Sequence, residues 1–214
     1  MSSVATDVPS ARTAHSTRST KYIVLLAVSL LLMSGPAWAT PQLFPGTGHY
    51  YEVIPALDGI TWSDAEASAE AQLWYGQHGH LATMASAEEN QFVFDLSLGS
   101  GIWHVSTVWY VGPWIGGFQQ DGAEEPAGGW GWITGESWDY TNWMAGQPNN
   151  NSPPENENSL VLWGEGTIAP TWNDYVDVHQ YRPEDRVWGY AVEFDTSPTA
   201  VEETTWGQIK ATFH

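Results

Sequence analysis

Cysteine is absent from this chain, and basic residues nearly so: six Lys and Arg face 25 Asp and Glu, a formal charge of −19 over 214 residues. No disulfide can hold the fold together, whatever the redox state around it. No thiol nucleophile is available either. So acidic a surface repels phosphate backbones and anionic headgroups, which argues against nucleic acid as a partner and in favour of divalent cations. Long apolar runs are also missing. The main one, Tyr22 to Met33, has twelve residues, too few to span a bilayer comfortably. Arg12, Arg18 and Lys21 precede it and Ala37-Trp38-Ala39 follows, the basic, apolar and small-x-small series of a signal peptide. Residues 1–39 are therefore expected to be removed on export, with no stable membrane insertion afterwards. The remainder carries 24 acids against Arg182, Arg186 and Lys210, a formal −21.

Motifs of hydrolytic enzymes are missing as well. There is no His-Glu-x-x-His, and Gly135-Glu136-Ser137-Trp138-Asp139 lacks the last glycine of a nucleophile elbow. His78 and His80, two apart, read more simply as a surface turn than as a zinc pair. The expectation is a non-enzyme.

What is present is aromatic and turn-rich. His49 to Ile54 has the aromatic and β-branched content of a strand, closed by a turn at Asp58-Gly59. From Thr61, a plausible N-cap, Trp62, Ala65, Ala69 and Leu73 recur at helical spacing, with Gly76 as the stop. Ser86 and Glu89 form a capping box for a second helix that turns Phe92, Val93 and Leu96 inward. Leu81 to Met84, between the two, is a short apolar segment suited to a strand or a tight crossover. From Gly116 to about Asn158 periodicity disappears, but Trp130, Trp132, Trp138, Tyr140 and Trp143 supply apolar area that disordered segments lack. Trp62, Trp114, Trp132, Trp143 and Trp172 are expected in the core. Leu160 to Trp163, Thr171-Trp172 and Tyr190 to Phe194 read as closing strands. Residues 40–195 are thus expected to form one α+β domain, followed by a tail at 196–214.

Within the irregular stretch, Gln147-Pro148-Asn149, then Glu157, then Asn173-Asp174 collect side-chain oxygens of the kind a calcium ion takes. Two carboxylates would balance the charge of Ca2+. The amides of Gln147, Asn149 and Asn173 would offer carbonyls to the ion and N–H groups to a hydroxyl-rich ligand.

The order of these residues, with Gly79-His80-Leu81-Ala82, Glu88-Glu89-Asn90, Trp114-Ile115-Gly116-Gly117, Trp130-Gly131-Trp132, Asn142-Trp143, Trp172-Asn173-Asp174 and Ala191-Val192-Glu193-Phe194, resembles the C-type lectin-like domain. The resemblance covers about His49 to Phe194. It implies two helices with small antiparallel sheets and a long ligand-binding loop. It also implies a cis peptide before Pro148, and a site at Gln147, Asn149, Glu157, Asn173 and Asp174 binding both Ca2+ and a carbohydrate or glycoconjugate, with Asp174 contributing its backbone carbonyl too. Glu-Pro-Asn accompanies mannose-type sugars in the family and Gln-Pro-Asp galactose-type sugars; Gln147-Pro148-Asn149 is neither. The family's usual disulfide positions align with Ala69, Val192, Ser159 and Asp177, a pattern that looks bacterial. A second use of such a scaffold is a surface adhesion or protein-binding module in which calcium only rigidifies the loop.

Overall fold

The computed structural model describes residues 40–152, 156–177 and 186–195. The expected leader, 1–39, and the tail, 196–214, lie outside the described residues.

β1 (Gln42–Leu43) pairs with β2 (Tyr50–Pro55), the first full strand. α1 (Trp62–Glu70) follows, and the Thr61 hydroxyl accepts the Asp64 N–H at 3.1 Å, as expected of an N-cap. The helix is shorter than its apolar spacing suggests. It ends at Ala71, and Leu73 lies 61% exposed on β3 (Leu73–Trp74) instead of on the helix. Tyr75 and Gly76 then both take positive φ, the geometry of a two-residue hairpin turn, and β4 (Gln77–His78) returns along β3. Gly76 closes a hairpin and does not stop a helix.

β5 (His80–Leu81) leads through Ala82, Thr83 and Met84, all buried, to α2 (Ala87–Ser97). The Ser86 hydroxyl caps the Glu89 N–H at 3.2 Å, but the Glu89 carboxylate reaches one residue further back than a capping box requires, to the Ala85 N–H at 2.6 Å. Its other oxygen accepts the buried Tyr51 hydroxyl at 2.5 Å, which ties α2 to β2. Val93 and Phe94 are buried, with Phe92 and Leu96 packed at the margin of the same core.

β6 (His104–Ser106) precedes the long strand β7 (Trp109–Gln119), against which β8 (Trp130–Trp132) pairs. β9 (Ser159–Glu165), β10 (Thr171–Tyr175) and β11 (Gly189–Phe194) complete the set. The main path runs β1-β2-β11-β7-β9-β10, with β5 on β11 and β6 and β8 on β7. The antiparallel hairpins are joined into one mixed sheet by a parallel contact between β11 and β7, Tyr190 opposite Trp114. The fold is α+β. Gly116 sits where this sheet meets the crossover: its N–H donates to the Ala82 carbonyl at 2.8 Å, and a Cβ there would lie 2.6 Å from the Leu81 oxygen.

Four positions align with the family's cysteines. Ala69 and Val192 are fully buried in one core cluster. A Cβ on Gly79 would meet both a Val192 methyl and the Ala69 carbonyl, so close backbone approach and burial take the place of a bridge. Ser159 is buried on β9, opposite Tyr175. Asp177 does other work, accepting the Ser63 N–H and hydroxyl at 3.0 and 2.7 Å at the start of α1.

The irregular region is shorter than its composition suggests, because β7 extends to Gln119 and β8 covers Trp130–Trp132. The rest is held by tryptophan. Trp172 is fully buried, and the rings of Trp132, Trp138, Tyr140 and Trp143 lie 5.5, 5.7, 5.5 and 6.0 Å from it. Its indole N–H donates to the Asn90 side-chain oxygen at 2.7 Å, anchoring the loop to α2. Trp114 and Trp132 are buried as expected, while Trp62 and Trp143 are partly exposed.

Candidate functional site

The tryptophan cluster positions the loop that carries the site. Met144 donates its N–H to the Trp172 carbonyl, and Trp172 donates to the Asn142 carbonyl, both at 2.9 Å. A turn closed by the Gln147 N–H on the Met144 carbonyl, 3.0 Å, passes through Gly146 at φ +91° and delivers the chain to Gln147-Pro148, a cis peptide. The chain then meets Asp174, one residue beyond Asn173 on β10. One oxygen of Asp174 accepts two successive N–H groups, from Asn149 at 2.8 Å and Asn150 at 2.7 Å.

Asn150 takes φ +46°, a conformation asparagine tolerates because its side chain bonds locally. That side chain accepts the Glu157 N–H at 3.0 Å. Glu157 in turn accepts the Asn151 N–H at 2.6 Å and the Ser152 hydroxyl at 2.7 Å. The two acids are therefore held from one short stretch, residues 149–152. Sequence reasoning missed Asn150, Asn151 and Ser152, since three of the five bonds they and Asn149 provide come from backbone N–H groups that any residue carries. The Asn-Asn run was the available signal.

Both carboxyls are buried, Glu157 6% and Asp174 0% exposed. Burial pushes each above the ordinary carboxylate range, partly offset by the N–H and hydroxyl donors; the charge of Asp174 adds to the rise at Glu157. Arg186 is the sole Lys or Arg among the described residues, and its guanidinium goes to the Asp58 carbonyl at 3.1 Å. Three buried oxygens of the set have no hydrogen-bond partner among the described residues: Gln147 Oε1, Asn173 Oδ1 and the second oxygen of Asp174. Asn149 is exposed. The backbone carbonyl of Asp174, expected to face an ion, accepts the Asn173 side-chain amide at 2.6 Å, which leaves the Asn173 oxygen unclaimed. A set made only of oxygens, two of them carboxylates that burial makes reluctant to ionise, is chemically suited to a hard divalent cation.

The two histidines do not share a surface turn. His78 is exposed on β4, its Nδ1 2.7 Å from the Glu70 carbonyl, whereas His80 is half-buried on β5 and meets Asp195 at 2.7 Å. His78 ends β4 and His80 begins β5, with Gly79 between them, and the two rings meet different partners.

Comparison with known proteins gives a consistent family. No protein-family model matches the chain. It is 32% identical over 152 residues to the C-type lectin lectoxin-Lio1 of Erythrolamprus poecilogyrus, covering 69% of this chain and 76% of that protein. It is 34% identical over 117 residues to the alpha-N-acetylgalactosamine-specific lectin of Patiria pectinifera, covering 54% and 61% respectively. It is also 28% identical over 153 residues to halomucin of Haloquadratum walsbyi, 64% of this chain but only 1% of that protein. Among solved structures, the C-type lectin CEL-I from Cucumaria echinata superposes with a TM-score of 0.52 at 19% identity, over 77% of this chain and 99% of that one. The human scavenger receptor C-type lectin carbohydrate-recognition domain gives 0.50 at 24%, over 75% and 98%. These structural likenesses concern the fold.

Proposed function

The chain belongs to the C-type lectin family, and on that premise we propose that it is an exported, calcium-dependent carbohydrate-binding protein. The observation that carries the reading is the trio of buried oxygens on Gln147, Asn173 and Asp174 that have no partner among the described residues, beside two desolvated carboxylates that no described Lys or Arg meets. Gln147, Asn149, Glu157, Asn173 and Asp174 would hold the ion. A bound Ca2+ supplies a centre to which sugar hydroxyls coordinate and neutralises Glu157 and Asp174. The protein's own part is orientation: the amides of Gln147 and Asn149 present N–H groups to hydroxyl oxygens, and the carboxylates accept hydroxyl protons. Nothing in this set calls for bond-breaking chemistry, and the proposed activity is binding alone.

Among the described residues no helix is long and apolar enough to cross a membrane. Export with cleavage after Ala39 rests on the leader pattern, and an exported chain whose mass begins at Thr40 is the expected product. The function itself is tested on a glycan array run in calcium and in chelator. Binding that appears only in calcium, and is lost in Asp174→Asn, is the expected result. Glycan binding that survives chelation would overturn the mechanism. A calcium-stabilised protein that binds no glycan would point instead to the adhesion role.

A further inference from the structure

A second cluster of ligating side chains lies on the part of the sheet where β2 begins and β5 and β11 meet. His49 immediately precedes β2, His80 lies on β5, and Glu193 and Asp195 lie at the end of β11. His49 Nδ1 is 2.6 Å from Glu193 Oε1, and His80 Nε2 is 2.7 Å from Asp195 Oδ1. One donor atom each from His49, Glu193 and Asp195 fall within 4.8 Å of one another, and His80 joins them through Asp195. From these residues we propose a transition-metal site of the zinc class, formed by His49, His80, Glu193 and Asp195 and separate from the Gln147 loop.

Three features distinguish this cluster from a chance group of surface acids. First, the donors are held from outside. Glu193 is 1% exposed; its Oε2 accepts the Thr83 N–H at 2.8 Å, and the Thr83 and Tyr51 hydroxyls lie 2.9 and 2.8 Å from its Oε2 and Oε1, each shared with a second carboxylate, Glu136 and Glu89 respectively. Second, His80 Nδ1 faces the Leu81 carbonyl at 2.9 Å. That bond fixes the ring and directs Nε2 into the cluster, the arrangement by which a carbonyl orients a metal-binding imidazole. Because both His80 nitrogens face acceptors, the ring must carry two protons when no metal is bound. Third, Asp195 is 61% exposed while His49 and His80 are 23% and 15% exposed, so an ion can enter from one side.

Two imidazoles with two carboxylates select zinc-like ions over calcium, which prefers oxygen alone. The charges of Glu193 and Asp195 balance a divalent ion. Tetrahedral zinc with bonds of about 2.0–2.2 Å places its donors roughly 3.3–3.5 Å apart. The two His–carboxylate contacts then open by less than ~1 Å, the ion replacing the protons they now share. The other pairs of the His49, Glu193 and Asp195 trio close from within 4.8 Å, and His80, outside that trio, moves in with Asp195. At least one proton, that on His80 Nε2, leaves on binding. In a chain without disulfides, such an ion would clasp the start of β2, β5 and the end of β11.

The test uses the full chain, purified without a histidine tag, stripped with chelator and titrated with Zn2+ by calorimetry in saturating Ca2+. One equivalent should bind, with proton release and a rise in melting temperature, and Co2+ should give the visible absorption of a tetrahedral complex. His80→Gln and Asp195→Asn should each weaken zinc by at least about tenfold, whereas His78→Gln and Asp174→Asn should leave it unchanged. Since Asp195 is exposed, its variant keeps the fold even if His49→Gln does not. Unchanged zinc affinity in both His80→Gln and Asp195→Asn would overturn the proposal, as would loss of zinc in Asp174→Asn alone. Neither result depends on whether the Gln147 loop binds sugar.

Discussion

Replacing Asp174 with asparagine separates the cost of the site from its use. Without calcium, Asp174 is a fully buried carboxylate whose second oxygen has no partner among the described residues, and a buried charge that is poorly compensated costs several kcal/mol. Asparagine removes the charge. Its carbonyl can still accept the Asn149 and Asn150 N–H groups, although two charge-assisted bonds become ordinary ones and a buried NH2 gains no evident acceptor, a loss of about 1–3 kcal/mol. The two effects oppose each other and the first is the larger, so in chelator Asp174→Asn should be no less stable than the parent.

In calcium the comparison changes. An ion that binds only the native cage stabilises it by RT ln(1 + [Ca]/Kd). With a dissociation constant of roughly 0.1–1 mM, typical of extracellular modules, 10 mM calcium adds about 1.4–2.7 kcal/mol. For a chain of this size that is a rise of about 3–11 °C in melting temperature. The parent should show the rise and Asp174→Asn should not, in melts followed by circular dichroism with 10 mM calcium and with chelator. If the variant lost several kcal/mol in chelator while calcium shifted neither protein, Asp174 would be a structural acid, and the cation reading of this loop would be refuted.

The same acids set a pH dependence. Because burial holds Glu157 and Asp174 above the usual carboxylate range, the metal-free fold takes up their protons more readily than the unfolded chain; their contribution is present at acid pH and lost as pH rises through the folded values. Calcium reverses the sign, since it requires both as anions, so melting curves with and without calcium should diverge as pH rises above about 4, and curves that stay parallel would remove the two acids from the ion site. Gln147→Glu should tighten calcium and shift competition among monosaccharides toward mannose-type sugars, while Asn149→Asp should shift it toward galactose, each changing discrimination by roughly 1–2 kcal/mol. Identical rankings in parent and both variants would mean that these amides do not read the ligand.

Much of the scaffold was legible because its signals are local. A hydroxyl before an apolar period marks a helix start, and Thr61 and Ser86 both cap as read. Strand composition similarly located β2, β9 and β11. What failed was decided by distant partners or by backbone. Leu73 continues the helical spacing of α1, yet Tyr75 and Gly76 open a hairpin turn that ends the helix sooner. His80 looks like one of two turn histidines until β5 pairs with β11 and brings it to Asp195, 115 residues away. At the candidate site the oxygen-bearing residue types were visible in order, but not the N–H groups of residues 149–151 that set their positions, nor which oxygens would be left without a partner.

That last distinction bears on how so acidic a chain tolerates buried carboxylates. Arg186 is the sole Lys or Arg among the described residues, and there the buried acids are met by backbone, hydroxyl and imidazole groups. Glu193 meets the Thr83 N–H and His49, and shares the Tyr51 and Thr83 hydroxyls with Glu89 and Glu136, before any ion binds. Asp174 receives two N–H groups on one oxygen and, among the described residues, nothing on the other. Burying a carboxylate oxygen without a donor is costly, and nearby Gln147 and Asn173 repeat the pattern with amide oxygens, which could have been turned to expose their donors instead. Three such atoms on one loop and its neighbouring strand are the oxygens on which the proposed cation site rests, and the calcium-dependent melts of the parent and Asp174→Asn test whether an ion takes them.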